Sequence, residues 1–301
     1  MRVPCIFLAA LLLVSCGNPS ESLYQEGLAL FDKKNYGEAA MKLTAVIAND
    51  NKNGEAYFTR GSCHFNLNNF EEAVSDYSKA ITLSRSKDPE AYFFRGNAQY
   101  QLNQFEEAIQ DMTMAITFDP GYAEAFQQRA SAWLALGNTD SALYDFGRSL
   151  EINPASASAH YGLGNYFANL PDYDQAMSHY SQAIELEPKA DYYFSRGLIY
   201  ALQNNFPDAI NDFSSAIDLD SQYAEAYVMR GNMKDESGRP AEALADFDQA
   251  ILIDPSAGHA YFNRGITRKN NGDLAGACAD FNKALELGYQ EAIAKTGDCP
   301  Q

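Results

Sequence analysis

The chain is short of positive charge: 22 Lys and Arg stand against 40 Asp and Glu, a formal net charge of −18. Gripping a phosphate backbone takes clustered cations, so nucleic acid is excluded as an expected partner. Histidine is scarce too, with four scattered residues, and Cys-x-x-Cys is missing, which removes the common zinc spacings. Neither Gly-x-x-x-x-Gly-Lys, nor His-Glu-x-x-His, nor Gly-x-Ser-x-Gly occurs. Gly162-Leu163-Gly164 lies inside an expected helix, on a register that explains it as close packing rather than a nucleotide loop. No catalytic residue, metal site or cofactor is therefore expected, and the chain reads as a non-enzyme.

Long apolar runs are absent except at the start, where Arg2 precedes an apolar run from Ile6 to Val14. That run is too short for a comfortable permanent span, so residues 1–15 read as an export signal. The cleavage region Leu13-Val14-Ser15-Cys16 resembles the bacterial lipobox. The resemblance implies that Cys16 is lipidated and becomes the new N-terminus, with 16–19 as a tether, on the outer membrane or the periplasmic face of the inner membrane. An ordinary signal peptide with an incidental cysteine is the alternative. An exported chain can hold disulfides, and Cys278 with Cys299, 21 residues apart, is the candidate pair; Cys63 would then be a buried free thiol.

What the chain has in abundance is self-similarity. Small residues recur at Gly27, Gly61, Gly96, Ala130, Gly164, Gly197, Gly231 and Gly265, with steps of 34, 35, 34, 34, 33, 34 and 34. Twelve residues after each marker stands an alanine: Ala39, Ala73, Ala108, Ala142, Ala176, Ala209, Ala243 and Ala277. Each period reads as two amphipathic helices joined by a short polar turn. Glycine inside a helix costs up to ~1 kcal/mol, so its repeated use argues that the two helices touch there. A bulky residue on the second helix, Leu43, Tyr77, Met112, Phe146, Tyr180, Phe213, Phe247 or Phe281, would fill the adjoining space. Pro120, Pro154, Pro188 and Pro255 end second helices.

The period, the small-residue offsets and the closing prolines resemble the tetratricopeptide repeat family over residues 20–291, nearly all of the mature chain. The units fall at about 20–53, 54–88, 89–122, 123–156, 157–189, 190–223, 224–257 and 258–291, and 288–301 caps the last. The resemblance implies an all-α, right-handed superhelical solenoid whose first helices line a groove.

An internal charge pattern runs through the repeats. Arg60, Arg95, Arg129, Arg196, Arg230 and Arg264 precede their markers, and sixteen residues later stand Asp76, Asp111, Asp145, Asp212, Asp246 and Asp280. The first repeat reverses the signs with Glu26 and Lys42; the fifth loses both charges, with Leu163 and His179. Matched change of this kind predicts an ion pair between the two helices of a unit, structural rather than functional. His160 and His179 should face each other in the fifth repeat, a packed pair without a third ligand.

The family geometry implies a groove lined by the residues three before and one after each marker. The first set includes Tyr24, Phe58, Phe93, Tyr161, Phe194 and Phe262, and the second Asn97, Asn165 and Asn232. Aromatics supply contact area and Asn can pair with a peptide backbone; some of the aromatics could instead pack between neighbouring first helices. The family's clamp for a C-terminal carboxylate needs cations where this chain carries Glu90, Glu124, Asp191 and Glu225, so that ligand class is not expected. The resulting expectation is a protein-binding scaffold of the cell envelope, with proteins or peptides as partners and the membrane reached through the N-terminal lipid. The alternative is a dedicated assembly factor or regulator of one envelope machine, such as a pilus, a secretion system or a cell-wall enzyme.

Overall fold

A computed structural model describes residues 19–84, 88–296 and 299. The expected signal peptide and Cys16 lie outside the described residues. Among those described, every regular element is helical, and the helices come in consecutive hairpins. The first four pairs are α1 (Pro19–Asp32) with α2 (Tyr36–Asn49), α3 (Gly54–Asn66) with α4 (Phe70–Leu83), α5 (Pro89–Gln101) with α6 (Phe105–Phe118), and α7 (Ala123–Ala135) with α8 (Thr139–Ile152). Four more follow: α9 (Ala157–Asn169) with α10 (Tyr173–Leu186), α11 (Ala190–Leu202) with α12 (Phe206–Leu219), α13 (Ala224–Glu236) with α14 (Pro240–Ile253), and α15 (Gly258–Asn270) with α16 (Leu274–Glu286). A 3₁₀ turn (Gln290–Ala292) and the short α17 (Ile293–Thr296) close the chain.

The residues at the joints explain this regularity. Within a hairpin the chain reverses through one left-handed residue, and polar residues that tolerate that region hold it: Asn68 (φ 60°), Asn103 (φ 58°) and Asn204 (φ 57°), with Gly238 (φ 75°) in the same register. Between hairpins, Asp119, Asp220 and Asp254 each accept the backbone N–H two residues on, at 2.9 Å, which ends one helix and starts a turn.

The chain divides into two compact units, Met1–Asn138 and Thr139–Gln301. The division falls inside the fourth repeat, so α7 belongs to the first unit and α8 to the second. In the first unit α1, α3, α5 and α7 stand side by side; in the second, α9 neighbours α11 and α13 neighbours α15. Each unit's core is built from the periodic alanines and the bulky second-helix residues. Tyr77 and Leu43 in the first unit and Phe213 and Phe281 in the second are fully buried. The marker glycines receive those rings: a methyl group on Gly61 would lie 3.0 Å from the Tyr77 ring, and one on Gly265 2.7 Å from Phe281. Burying one such side chain contributes ~1.5–3 kcal/mol, and eight repeats multiply that term.

At the C-terminal end Cys278 and Cys299 are bonded, with Cα atoms 5.6 Å apart. The bond ties the residues after α17 to α16, and Ala292 is fully buried against Phe281 and Ala284. Cys63 is a buried free thiol whose pKa burial pushes up to about 11, so it stays protonated and unreactive near neutral pH.

Candidate protein-binding surface

The arginines act as struts rather than as contacts for a ligand. Arg60 clasps Asp76 through Nε and Nη2, both at 2.7 Å, and Arg95 holds Asp111 through the same two nitrogens at 2.6 Å. Arg196–Asp212, Arg230–Asp246 and Arg264–Asp280 repeat this forked geometry at 2.6–3.0 Å. The carboxylates are nearly buried, Asp111 at 4% and Asp280 at 3% exposure. Hydrogen bonding to the carboxylate is the main reason that Arg60, Arg95 and Arg196 sit above their ordinary pKa. Glu26 and Lys42, the reversed pair, meet at 2.7 Å but are about half exposed. Arg129 and Asp145 fall in different units.

Each arginine also forms a third bond, which the arginine–aspartate register alone does not predict. Each arginine's remaining Nη1 reaches back into the preceding repeat: Arg60 to Thr44, Arg95 to Ser78, Arg129 to Thr113, Arg196 to Ser181, Arg230 to Ser214 and Arg264 to Asp248, at 2.6–3.1 Å. All six of these guanidinium groups also lie over the ring three residues before them, as Arg95 does over Tyr92 at 5.6 Å. The acceptors all stand seventeen residues after a marker, and the signal for them was present in the sequence: the corresponding residue ahead of Leu163, which has no cation to offer, is Gly147.

The fifth repeat replaces the whole assembly. His160 takes the place of the ring, Leu163 of the arginine and His179 of the aspartate. The two imidazoles meet Nδ1 to Nδ1 at 3.2 Å, and Phe167 stacks on His179 with ring centroids 5.5 Å apart. One proton between the two nitrogens suits this contact; two would repel. Burial is the first cause that lowers both pKa values below 6.5, and for His179 the neighbouring His160 adds to it. A histidine held neutral in the fold contributes stability that is fully present above its unfolded pKa and is lost as pH falls through the lowered folded value. The wild-type melting temperature should therefore drop more steeply between about pH 7 and about pH 5 than that of His160→Tyr with His179→Tyr, which removes both titrating rings. Parallel pH profiles for the two proteins would count against this reading.

The expected groove residues divide into working and committed ones. Tyr24, Phe58, Phe93, Tyr161, Phe194 and Phe262 are all half-buried on the first helices. Much of their surface is spent on packing. Phe58 rests on Tyr77 and Phe94 at 5.5 and 5.6 Å, Phe93 on Tyr122 at 4.8 Å, Tyr161 on Tyr192 at 4.6 Å, and Phe262 on Tyr289 at 5.1 Å. Phe194 lies between Phe213 and Tyr223. The stripe is thus the seam between neighbouring repeats as well as a surface.

The polar set divides by what stands opposite. Where the second helix carries a tyrosine, its hydroxyl claims the residue after the marker: Tyr77 donates to Ser62 at 3.1 Å and Tyr180 to Asn165 Oδ1 at 2.8 Å. Where the second helix carries Met112 or Phe247, Asn97 and Asn232 keep their amides uncommitted and partly exposed. Asn97 in the first unit and Asn232 in the second are therefore the two expected asparagines left to serve a ligand. Carboxylates flank this face at the helix starts: Glu55, Glu90, Glu124 and Asp191 are exposed, while Glu225 pairs with His259 at 2.8 Å.

Tetratricopeptide repeat models match residues 54–87, 89–122, 128–191, 172–224 and 228–292, and one of these models by itself takes in more than half of the chain. The chain belongs to the tetratricopeptide repeat family. Repeats of this family are protein-interaction scaffolds, and the arrangement above, a buried structural charge ladder with an aromatic and amide face, is consistent with that use. A tetratricopeptide repeat protein from Parabacteroides merdae is similar in fold, with 22% identity and a TM-score of 0.66 over 83% of this chain and 99% of that one. YrrB, a tetratricopeptide repeat protein described as having an unusual peptide-binding site, shows 22% identity and a TM-score of 0.53 over 62% of this chain and 97% of its own. Yeast Tom70 shares 17% identity, with a TM-score of 0.65 over 93% of this chain and 64% of its own. At such identities the likeness is one of fold. No curated protein sequence matches the chain.

Among the described residues no group of three or more His, Cys, Asp or Glu side chains could hold a metal ion, and no helix is long and apolar enough to cross a membrane.

Proposed function

We propose that the protein is a non-enzymatic scaffold of the bacterial cell envelope. In this reading Cys16 carries the lipid that holds it to a membrane, and the first-helix face binds a segment of another envelope protein. The observation that carries the binding half is the split among the asparagines. Asn97 and Asn232 present unspent donors and acceptors beside aromatic surface, which is what an extended peptide backbone needs. The anchoring half rests on the Leu13-Val14-Ser15-Cys16 sequence.

Each half has its own test. Cys16→Ser is expected to move the protein from the membrane to the soluble fraction and to abolish labelling with a fatty-acid analogue; membrane retention with undiminished labelling would refute the anchor. Asn97→Ala with Asn232→Ala removes no internal hydrogen bond and should leave the melting temperature within about 2 °C. Affinity capture of envelope partners should nonetheless fall severalfold. Unchanged capture would remove the amide face from the account.

A further inference from the structure

In the first unit a cavity of about 400 Å³ opens between α1, α3, the end of α4 and the start of α5. Tyr24 and Phe58 form its aromatic wall. Glu55, Asp88 and Glu90 bring three carboxylates to it, and none of the described residues lining it is Lys, Arg or His. Glu55 and Glu90 are exposed and form no ion pair among the described residues.

The repeat register explains why the cavity exists here. At the junctions after Phe93 and Phe194 the aromatic three before a marker is covered by the residue eight before the next marker: Tyr122 covers Phe93 and Tyr223 covers Phe194, at 4.8 and 4.9 Å. Where the first residue is aliphatic, as at Val228, its cover is the small Ala257, and the two share one buried cluster. Tyr24 and Phe58 break the pattern. Their covering positions are Asn53 and Asp88, whose side chains cap the following helices by accepting the N–H groups of Ala56 and Glu90 at 3.0 Å. Two consecutive rings thus lack the aromatic cover found elsewhere, and a carboxylate stands where the second cover would be.

The second unit shows which chemistry suits this register. At the junction after Tyr161 the covering position holds Lys189. Its ammonium lies 5.5 Å from the centre of the Tyr192 ring and 2.8 Å from a Glu187 oxygen, and Tyr192 in turn packs on Tyr161. A cation over a ring with a carboxylate beside it is therefore already built once in this chain, at the position that Asp88 occupies in the cavity.

The geometry points to the side chain of a Lys or Arg, presented by a partner protein, as the occupant of the cavity. Its methylene stem would lie along Tyr24 and Phe58, and Glu55 and Glu90 would take its charge, with the cation also drawn to the ring faces. The inference rests on the reading that the first-helix face binds protein, and it adds that the partner segment is basic. The chain's acidity favours encounter with such a segment.

The test uses the full-length chain in solution and the peptide acetyl-Gly-Gly-Lys-Gly-Gly-amide, read by NMR shifts of the Tyr24 and Phe58 rings. The lysine peptide should shift both rings. The norleucine analogue and the Glu55→Gln with Glu90→Gln variant should each bind about tenfold more weakly, since each removes the charge from one side of the contact. Asp88→Tyr installs the cover found at Tyr122 and Tyr223, so it should keep the fold and lose the binding. Arg85 and Lys87 precede Asp88 in the sequence, so the titration is repeated on Arg85→Ser with Lys87→Ser; equal or tighter binding supports an external cation. Equal affinity for the norleucine peptide, binding that survives Asp88→Tyr, or binding lost in the Arg85→Ser, Lys87→Ser variant would overturn the proposal. If the lysine peptide shifts neither ring while Asn97→Ala with Asn232→Ala still lowers partner capture, the cavity assignment fails and the wider scaffold reading stands.

Discussion

Asp111→Ala should cost the first unit about 3 kcal/mol or more of local stability, while Arg95→Leu combined with Asp111→Ala should lose less than half of that. Removing the carboxylate alone leaves the Arg95 guanidinium mostly buried, over the Tyr92 ring, with Ser78 as its remaining acceptor. Desolvation of that cation is then uncompensated, and this penalty, not the worth of the pair, dominates the single variant. Leucine in place of the arginine relieves it. The exposed Glu26–Lys42 pair supplies the contrast: the same operation there should cost no more than about 0.5 kcal/mol, because water solvates whichever charge remains. Amide exchange in α5 and α6 reads the effect locally, which suits a repeat protein whose hairpins can open separately. Equal losses for the single and double variants would show that the ladder is not a buried charge pair.

Two glycines near the fourth-to-fifth repeat junction should respond to alanine with opposite signs. In a helix interior Gly→Ala gains up to ~1 kcal/mol of propensity, and packing decides whether that gain is realised. At Gly147 in α8 an added methyl group meets nothing within 4 Å, so the gain stands and the melting temperature should rise by about 2–4 °C. At Gly162 in α9 the same methyl group would fall 2.3 Å from the Phe146 ring, which is 1% exposed and cannot swing away. Overpacking of this order costs ~1–3 kcal/mol and outweighs the propensity, so Gly162→Ala should melt several degrees lower. A rise in both variants would mean that Phe146 has room that the packing denies it.

The hairpin array was open to reading because its evidence is periodic: the marker, the alanine twelve residues on and the bulky second-helix residue recur together. The arginine–aspartate register was open for the same reason, since the reversal at Glu26 and Lys42 and the joint loss at Leu163 and His179 are correlated changes within one repeat. The features that the period within one repeat does not encode lie between repeats. The backward bond from each arginine to Thr44, Ser78, Thr113, Ser181, Ser214 or Asp248 crosses a junction, and its only trace in the sequence is the pairing of Gly147 with Leu163. Phe93, Phe194 and Phe262 look like a ligand-facing stripe in the sequence, yet Tyr122, Tyr223 and Tyr289 lie against them, because the first helices must also bury each other's edges. Asn165 and Asn97 are indistinguishable by position; the tyrosine or methionine facing them on the second helix decides which amide is spent.

On the proposed function, partners are held on the first-helix face. Photo-crosslinking in intact cells tests it most directly, with a photoreactive phenylalanine placed in separate variants at Asn97, Asn232, Met41 and Tyr144. Met41 and Tyr144 are exposed on second helices, at 66% and 65%, and serve as references. Asn97 and Asn232 are expected to crosslink to a common protein partner, and Met41 and Tyr144 are not. Crosslinks to that partner arising from Met41 or Tyr144, with none from Asn97 and Asn232, would contradict it.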